Sequence, residues 1–355
     1  MSNSVEVIVK KVPEKKKWWE ILLGSTVVAA VIGGLIAGGF LLINSSINKP
    51  EPTEPLTQPV QTEAAQIETD NQPQPDNPNL NYSRGEVFLE QLEYQKAAEC
   101  FEQAAKDYES DSLDRAKALN QAGLVYSKMA HYDQAINCYQ EAQAIYNQNS
   151  QANQLELSWA YDGLAITYLR QGHYDKALIW FFKVLAIKEK LGGEDRTDTA
   201  STYNNIALVY QKQNKYDDAL EYYFKALAIK EKVLGKEHPN TASTYNNIGI
   251  VYRIQGKYDE ALENYLKAQA VFERVLGKDH PDTAAAYENI ALLYGDQGKY
   301  DEAFELYLRA YRVYLKLYNA EHPDAKRCLD NLRDAYTASG LEEPFDAWFA
   351  QQLKK

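Results

Sequence analysis

Residues able to do acid–base, thiol or metal chemistry are present in this 355-residue chain, but their spacing suits repetition rather than catalysis. His238, His280 and His322 stand 42 positions apart, each followed by proline. They are too separated to share a metal ion, and a repeated joint suits loop packing. Paired carboxylates in the Tyr-Asp-Glu turns (Asp259 with Glu260, Asp301 with Glu302) sit where a helix begins and read as caps, not as an acid–base couple. Cys100 and Cys138 occupy equivalent places in successive units, which puts their helices about 8–10 Å apart. A disulfide needs α-carbons within roughly 7 Å, and Cys328 is far from both. Three unpaired thiols suit a reducing compartment. No Gly-x4-Gly-Lys-Ser/Thr occurs, since Gly256-Lys257 is followed by Tyr258. His-Glu-x-x-His, Gly-x-Ser-x-Gly and clustered Cys/His zinc patterns are also missing. The expectation is a protein without catalysis, cofactor or metal.

A second set of recurring polar residues suits recognition. Asn205, Asn247, Asn289 and Asn331 follow one another at 42-residue intervals, with Gln121 earlier in the same register and Gly163 breaking the series. Asparagine is a mediocre helix former, so its recurrence asks for a reason. Its amide can both donate to and accept from a peptide main chain. Lys128, Arg170 and Lys212 also recur 42 apart, and Arg253 lies one residue before the next expected position. Those cations either face a ligand or complement the dipole at helix C-termini. Together the two series suggest a ligand with an acidic stretch or a free C-terminal carboxylate. Duplication copies every residue, so repetition alone does not separate contact from descent.

The elements that position these residues follow from the same period. DTASTYNNIALVYQKQNKYDDALEYYFKALAIKEKVLGKEHP (198–239) is followed in step by close copies at 240–281 and 282–323, then by a decaying copy from Asp324. Tyr126, Tyr168, Tyr210, Tyr252, Tyr294 and Tyr336 keep the interval without a slip, as do Tyr132, Tyr174, Tyr216, Tyr258 and Tyr300. Tyr94 precedes Tyr132 by 38, so one loop is shorter there. A fixed period of this size marks a solenoid, whose units bury their apolar faces only against neighbours.

Each unit reads as two helices. In the first, such as 202–212, Tyr203, Ile206, Ala207 and Tyr210 fall on one helical face. A Gln-Gly-Lys-Tyr-Asp turn follows, with glycine ending one helix and aspartate capping the next. The second helix, such as 217–233, carries Ala219, Tyr223 and Ala226 on its inner face. Pro239, Pro281 and Pro323 start the next first helices. Six helix pairs from about Tyr82 to Tyr318, and a shorter closing pair, make an all-α domain.

The small and aromatic positions Ala207, Tyr210, Tyr216, Ala219, Tyr223 and Ala226 resemble the tetratricopeptide repeat consensus. The 42-residue length and the Leu-Gly-x-x-His-Pro-x-Thr-Ala joint resemble its kinesin-light-chain-like subclass. The resemblance covers roughly 82–340, about six to seven repeats, and weakens where Arg333 stands at the place of Ala207. It implies a right-handed superhelix of antiparallel helix pairs whose first helices line a concave groove for peptides or protein segments. In that family, asparagine on this face commonly holds an extended main chain. The groove residues so implied are Gln121, Asn205, Asn247, Asn289, Asn331, Lys128, Arg170, Lys212 and Arg253. A capping helix is expected over 341–355.

Ahead of the repeats, a basic segment (1–20) leads into Ile21–Ile43, an uncharged stretch of 23 residues. At about 1.5 Å per residue it spans a hydrocarbon core of roughly 30 Å. It exceeds the apolar part of a cleaved signal peptide, about 7–15 residues, and so reads as an uncleaved anchor. Trp18 and Trp19 sit at its leading edge, and Lys10, Lys11, Lys15, Lys16 and Lys17 precede it while Lys49 follows. The positive-inside rule then puts the N-terminus in the cytoplasm and the repeats across the membrane, against the direction suggested by the free thiols. Ala30, Gly34 and Gly38 repeat at i, i+4 and could pack on another transmembrane helix.

Residues 44–81 hold Pro50, Pro52, Pro55, Pro59, Pro73, Pro75 and Pro78 among polar residues, a composition that cannot bury enough apolar surface to fold. Such a linker holds the repeats at a distance from the bilayer, reaching roughly 35 Å if coil-like. The chain carries 38 basic and 50 acidic residues; six lysines and nine acids precede Tyr82, leaving 32 against 41 in the repeats. An acidic domain argues against nucleic acid as partner. The expected protein is a membrane-tethered adaptor that recruits a protein or peptide. Two alternatives stand beside it. One is a self-associating scaffold, a homo-oligomer. The other, by similarity to membrane-tethered bacterial and cyanobacterial repeat proteins, is an assembly factor for a photosynthetic complex or pigment-synthesis enzyme at a plasma or thylakoid membrane.

Overall fold

The computed structural model describes residues 77–148, 153–192 and 196–354. The basic segment, the expected anchor with Ala30, Gly34 and Gly38, and the linker to residue 76 lie outside the described residues. Among those described, no helix is long and apolar enough to cross a membrane.

The described residues form fourteen helices and no strand. They pair in sequence: α1 Pro78–Glu90 with α2 Tyr94–Asp107, α3 Leu113–Lys128 with α4 Tyr132–Gln148, and α5 Gln154–Arg170 with α6 Tyr174–Lys190. Then come α7 Thr197–Lys212 with α8 Tyr216–Leu234, α9 Pro239–Ile254 with α10 Tyr258–Val275, and α11 Pro281–Asp296 with α12 Tyr300–Leu317. The shorter closing pair is α13 Pro323–Ser339 and α14 Phe345–Leu353. Helix α1 begins at Pro78, inside the expected linker, with the Asn77 side chain accepting from the Leu80 amide at 3.1 Å.

Capping explains the boundaries. Each joint proline opens its helix, where a missing N–H leaves nothing unpaired. Ahead of it the histidine is the cap: Nδ1 of His238, His280 and His322 accepts from the backbone amide two residues on, at 3.0, 3.1 and 3.3 Å. The expected aspartate caps of the second helices are corrected here. Lys215, Lys257 and Lys299 hold the N-cap position with no side-chain bond, and the aspartates lie inside the first turn, where they complement the helix dipole. Two of them serve the next unit: Asp175 and Asp217 accept from Gln213 and Gln255 at 2.8 and 3.1 Å.

Small residues set how closely the helices approach. Ala219, Tyr223 and Ala226 are buried, as are their counterparts Ala261, Tyr265 and Ala268. A Cβ added to Gly249 would come within 2.7 Å of the Tyr265 ring, so the aromatic of a second helix seats directly on the backbone of the first. The closing pair departs from this. Arg333 and Phe345 replace the small residues, and α14 instead leans its aromatics on Phe304 and Tyr336, with Trp348 at 5.0 and 4.7 Å between ring centres.

Like helices of successive units come closest on the first-helix side (α3 with α5, α9 with α11, α11 with α13), which puts the first helices inside the curve of the stack.

Candidate functional site

The asparagine series lies where first helices of successive units meet, and the register of that meeting is constant. Asn247 Nδ2 donates to Asn204 Oδ1 at 3.3 Å, Asn289 to Asn246 at 2.8 Å and Asn331 to Glu288 Oε1 at 2.8 Å, each across 43 positions. The repeat is 42, so each first helix is shifted one residue against its predecessor, and every bridge joins a series member to the residue before its counterpart. The amides form a rail across α7, α9, α11 and α13. This corrects one expectation: Asn247, at 1 % exposure, is an inter-unit bridge and not an open groove residue. Asn205, Asn289 and Asn331 are half-buried along the same row.

The basic series follows the same one-residue shift. Arg170 Nη1 donates to the Ser127 carbonyl at 2.7 Å, and Arg253 Nη1 to Asp296 at 2.7 Å, again across 43 positions. These two arginines therefore tie neighbouring first helices together, and Arg170 does so near the C-terminal end of α3, where unpaired carbonyls favour a cation. Lys128 lies with its ammonium 5.6 Å from the centre of the Tyr94 ring. Burial first, and the Arg170 charge second, lower its pKa from the ordinary lysine value. Lys212 is exposed at the end of α7. Gln121 is half-buried on α3.

Gly163 breaks the rail for a steric reason. A Cβ there would meet the Tyr139 ring at 2.2 Å, because this tyrosine, sent up from α4, passes over Gly123 and reaches the next first helix.

Three constructions were not read from the sequence. The first is a seam of rings and charges. Tyr161, Tyr203, Tyr245 and Tyr287 each lie beneath a cation of their own unit, Lys183, Lys225, Lys267 and Arg309, at 5.5, 6.0, 5.8 and 4.3 Å from the ring centre. Tyr245 and Tyr287 donate to Glu231 and Glu273 of the preceding unit at 3.0 and 2.8 Å. The equal spacing of those cations and acids was the available signal. The second is a pair of lysines within the stack: Lys188 and Lys230 donate to Thr202 and Thr244 at 2.9 and 3.0 Å, and burial pushes Lys230 down to about 8. The third is Glu288, 3 % exposed, held by Nε and Nη2 of Arg327 at 3.1 Å each, by Asn331 and by the Tyr314 hydroxyl at 3.3 Å.

No group of residues suited to a metal ion occurs among the described residues. Cys100, Cys138 and Cys328 are free and buried, and burial raises each thiol, Cys138 to about 12, which leaves them unreactive.

A tetratricopeptide repeat family model matches residues 76–148, 114–190, 198–267, 240–316 and 282–343. No curated protein matches the sequence. Among solved structures, the chain is similar to the apo form of RapI, with 16% identity over 73% of this chain and 97% of that one, at a TM-score of 0.54. Aspartyl phosphate phosphatase F from Bacillus subtilis gives 20% identity, coverage of 73% and 70%, and a TM-score of 0.53. A point variant of the kinesin light chain TPR-like repeats from Podosopora anserina gives 21% identity, coverage of 59% and 98%, and a TM-score of 0.51. At these identities the likeness is one of fold.

Proposed function

The chain belongs to the tetratricopeptide repeat family, and on that premise we propose that it is a non-catalytic scaffold that holds a segment of a partner protein along its first helices. The observation that carries this reading is the amide rail across α7, α9, α11 and α13. Asn205, Asn289 and Asn331 lie half-buried along a row whose spacing suits an extended chain: first helices about 10 Å apart match three residues at about 3.3 Å each. Backbone groups of such a segment need donors and acceptors in register, and a row of amides offers both. Lys128 and Lys212 on the same side favour a segment with acidic residues or a free C-terminal carboxylate.

The kinesin-light-chain-like joints and the uncharged stretch at 21–43 support a finer reading: repeats of that subclass, tethered to a bacterial plasma or thylakoid membrane through the 44–76 linker. Protease protection of a C-terminal tag in sealed vesicles of known orientation tests the tether and its side. A tag shielded until the membrane is opened supports the positive-inside assignment; a tag cleaved from the cytoplasmic side contradicts it.

The binding face is tested by steric block. Asn205→Trp on α7 should abolish co-purification of the partner from solubilised membranes, while Glu263→Trp on the exposed side of α10 should leave it intact. Loss with Glu263→Trp alone would move the binding surface to the second helices.

A further inference from the structure

The broken step of the rail leaves a notch. Between α3 and α5 an open cavity of about 240 Å³ is walled by Leu124, Tyr139, Trp159 and Ile166, with Asn120 also lining it. At the three later steps of the rail an asparagine reaches from one first helix to the residue before its counterpart on the last. By that register the partner of position 163 is position 120. Position 163 is glycine, so Asn120 receives no amide: its Oδ1 and Nδ2 are both buried and close no hydrogen bond, although the Tyr146 hydroxyl lies near enough to interact. A buried amide left open is destabilising by about 1–3 kcal/mol, and native structures seldom leave one without a reason. Beside it Trp159 stands 55 % exposed on α5, against 41 % for Tyr318 at the far end of the stack.

Resting on the reading of the first-helix row as a binding surface, we infer that this step is the anchor point of the bound segment: one large apolar side chain enters the Gly163 notch against Trp159, and a main-chain amide of the same segment closes onto Asn120. The occupant is an extended polypeptide for two reasons. The notch continues the row of rail amides, so a chain crossing successive first helices passes over it in register. The orphaned group is an amide, whose natural complement is another amide. Charge sets the direction: Lys128 and Arg170 stand at the ends of the two flanking helices, close enough for Arg170 to repel the Lys128 proton. Asp162, whose carboxyl burial pushes up, lines the cavity itself, so a carboxylate is favoured toward the Lys128–Arg170 end and away from Asp162.

Random dodecamer peptides displayed on phage and selected on the full chain in detergent test this directly. The expected outcome is a set of peptides that share one large apolar residue at a fixed position with an acid nearby. Binding of the synthetic peptides should fall at least about tenfold with Trp159→Ala and with Leu124→Asp. Trp159 is exposed, so its variant folds and keeps the test sound if Leu124→Asp does not. Peptides weakened by Asn205→Trp yet indifferent to Trp159→Ala and Leu124→Asp would overturn the anchor and spare the binding row. Peptides indifferent to all three variants, or none selected, would overturn both.

Discussion

Asn289 reaches back across 43 positions to Asn246, Nδ2 to Oδ1 at 2.8 Å, and in doing so fixes the one-residue shift between neighbouring first helices. Hydrogen bonds of this kind contribute modestly when made and are expensive when half is left behind. Asn246 and Asn247 are both buried, so one partner of each bridge is shielded from water.

Removing one side of a bridge should therefore lower stability rather than merely clear the surface. Asn247→Ala is expected to destabilise the repeats by about 1–2 kcal/mol, read as a lower midpoint in urea. Asn205→Ala, at a half-buried position, should have the smaller effect. Equal midpoints for the Asn247 variant and the unmodified chain would contradict the bridge.

Glu288 takes the register position held by Asn204 and Asn246 in earlier units, and answers a cation instead of an amide. Its carboxylate is buried and bidentate with Arg327. Glu288→Ala removes the bidentate pair but leaves Arg327 its bond to Asp324 and partial access to water, and should cost about 1–3 kcal/mol. Arg327→Ala strands the buried carboxylate and should cost more, about 3–5 kcal/mol, with the double variant clearly less than the sum. Strict additivity would mean that the pair is not coupled.

The joint histidine His238 makes stability fall in acid. His238 caps α9 through an unprotonated Nδ1, and burial, then the Lys230 charge, hold its pKa below the ordinary histidine value. The folded chain thus prefers the neutral ring. That contribution is complete above the unfolded value of about 6.5 and is lost as pH falls through the lower folded value. The melting temperature should drop between about pH 6.5 and 5, and less so in His238→Asn, whose side chain caps without titrating. An unchanged acid slope in that variant would remove His238 as the cause.

Lys230 acts at the other end of the scale. Burial pushes it down to about 8, so between that value and the unfolded one the unfolded chain binds more protons and stability rises with pH. Lys230→Met should stabilise the repeats at pH 7 by about 1–3 kcal/mol, one pKa unit being about 1.4 kcal/mol, and should flatten the rise above pH 8. The neighbouring units, with Phe272 and Tyr314 in this register, show that an apolar side chain fits. A less stable Lys230→Met would mean that the bond to Thr244 outweighs desolvation.

What the sequence made legible follows from which interactions are local. Helix pairs, their glycine turns and their proline starts depend on residues close in the chain, and the period exposed them at once. The asparagine series was visible, but its register was not: one residue of shift between helices decides whether Asn247 faces solvent or Asn204, and that shift is set by packing. The histidine caps escaped because imidazole is an unusual N-cap, and the aspartates beside the turns looked like the ordinary one. Gly163 read as a gap in a pattern. Only the Tyr139 ring beneath it, a contact between units, gives the gap a cause.

The most direct measurement is site-specific photocrosslinking in the native membrane. With a benzophenone amino acid at position 205 or 121 on the first-helix row, illumination should yield one discrete adduct with a partner polypeptide, mapped to a single extended segment. The same group at 263 on the second-helix side should yield none. An adduct from 263 with nothing from 205 or 121 would contradict the account, since the partner would then sit on the opposite face of the stack.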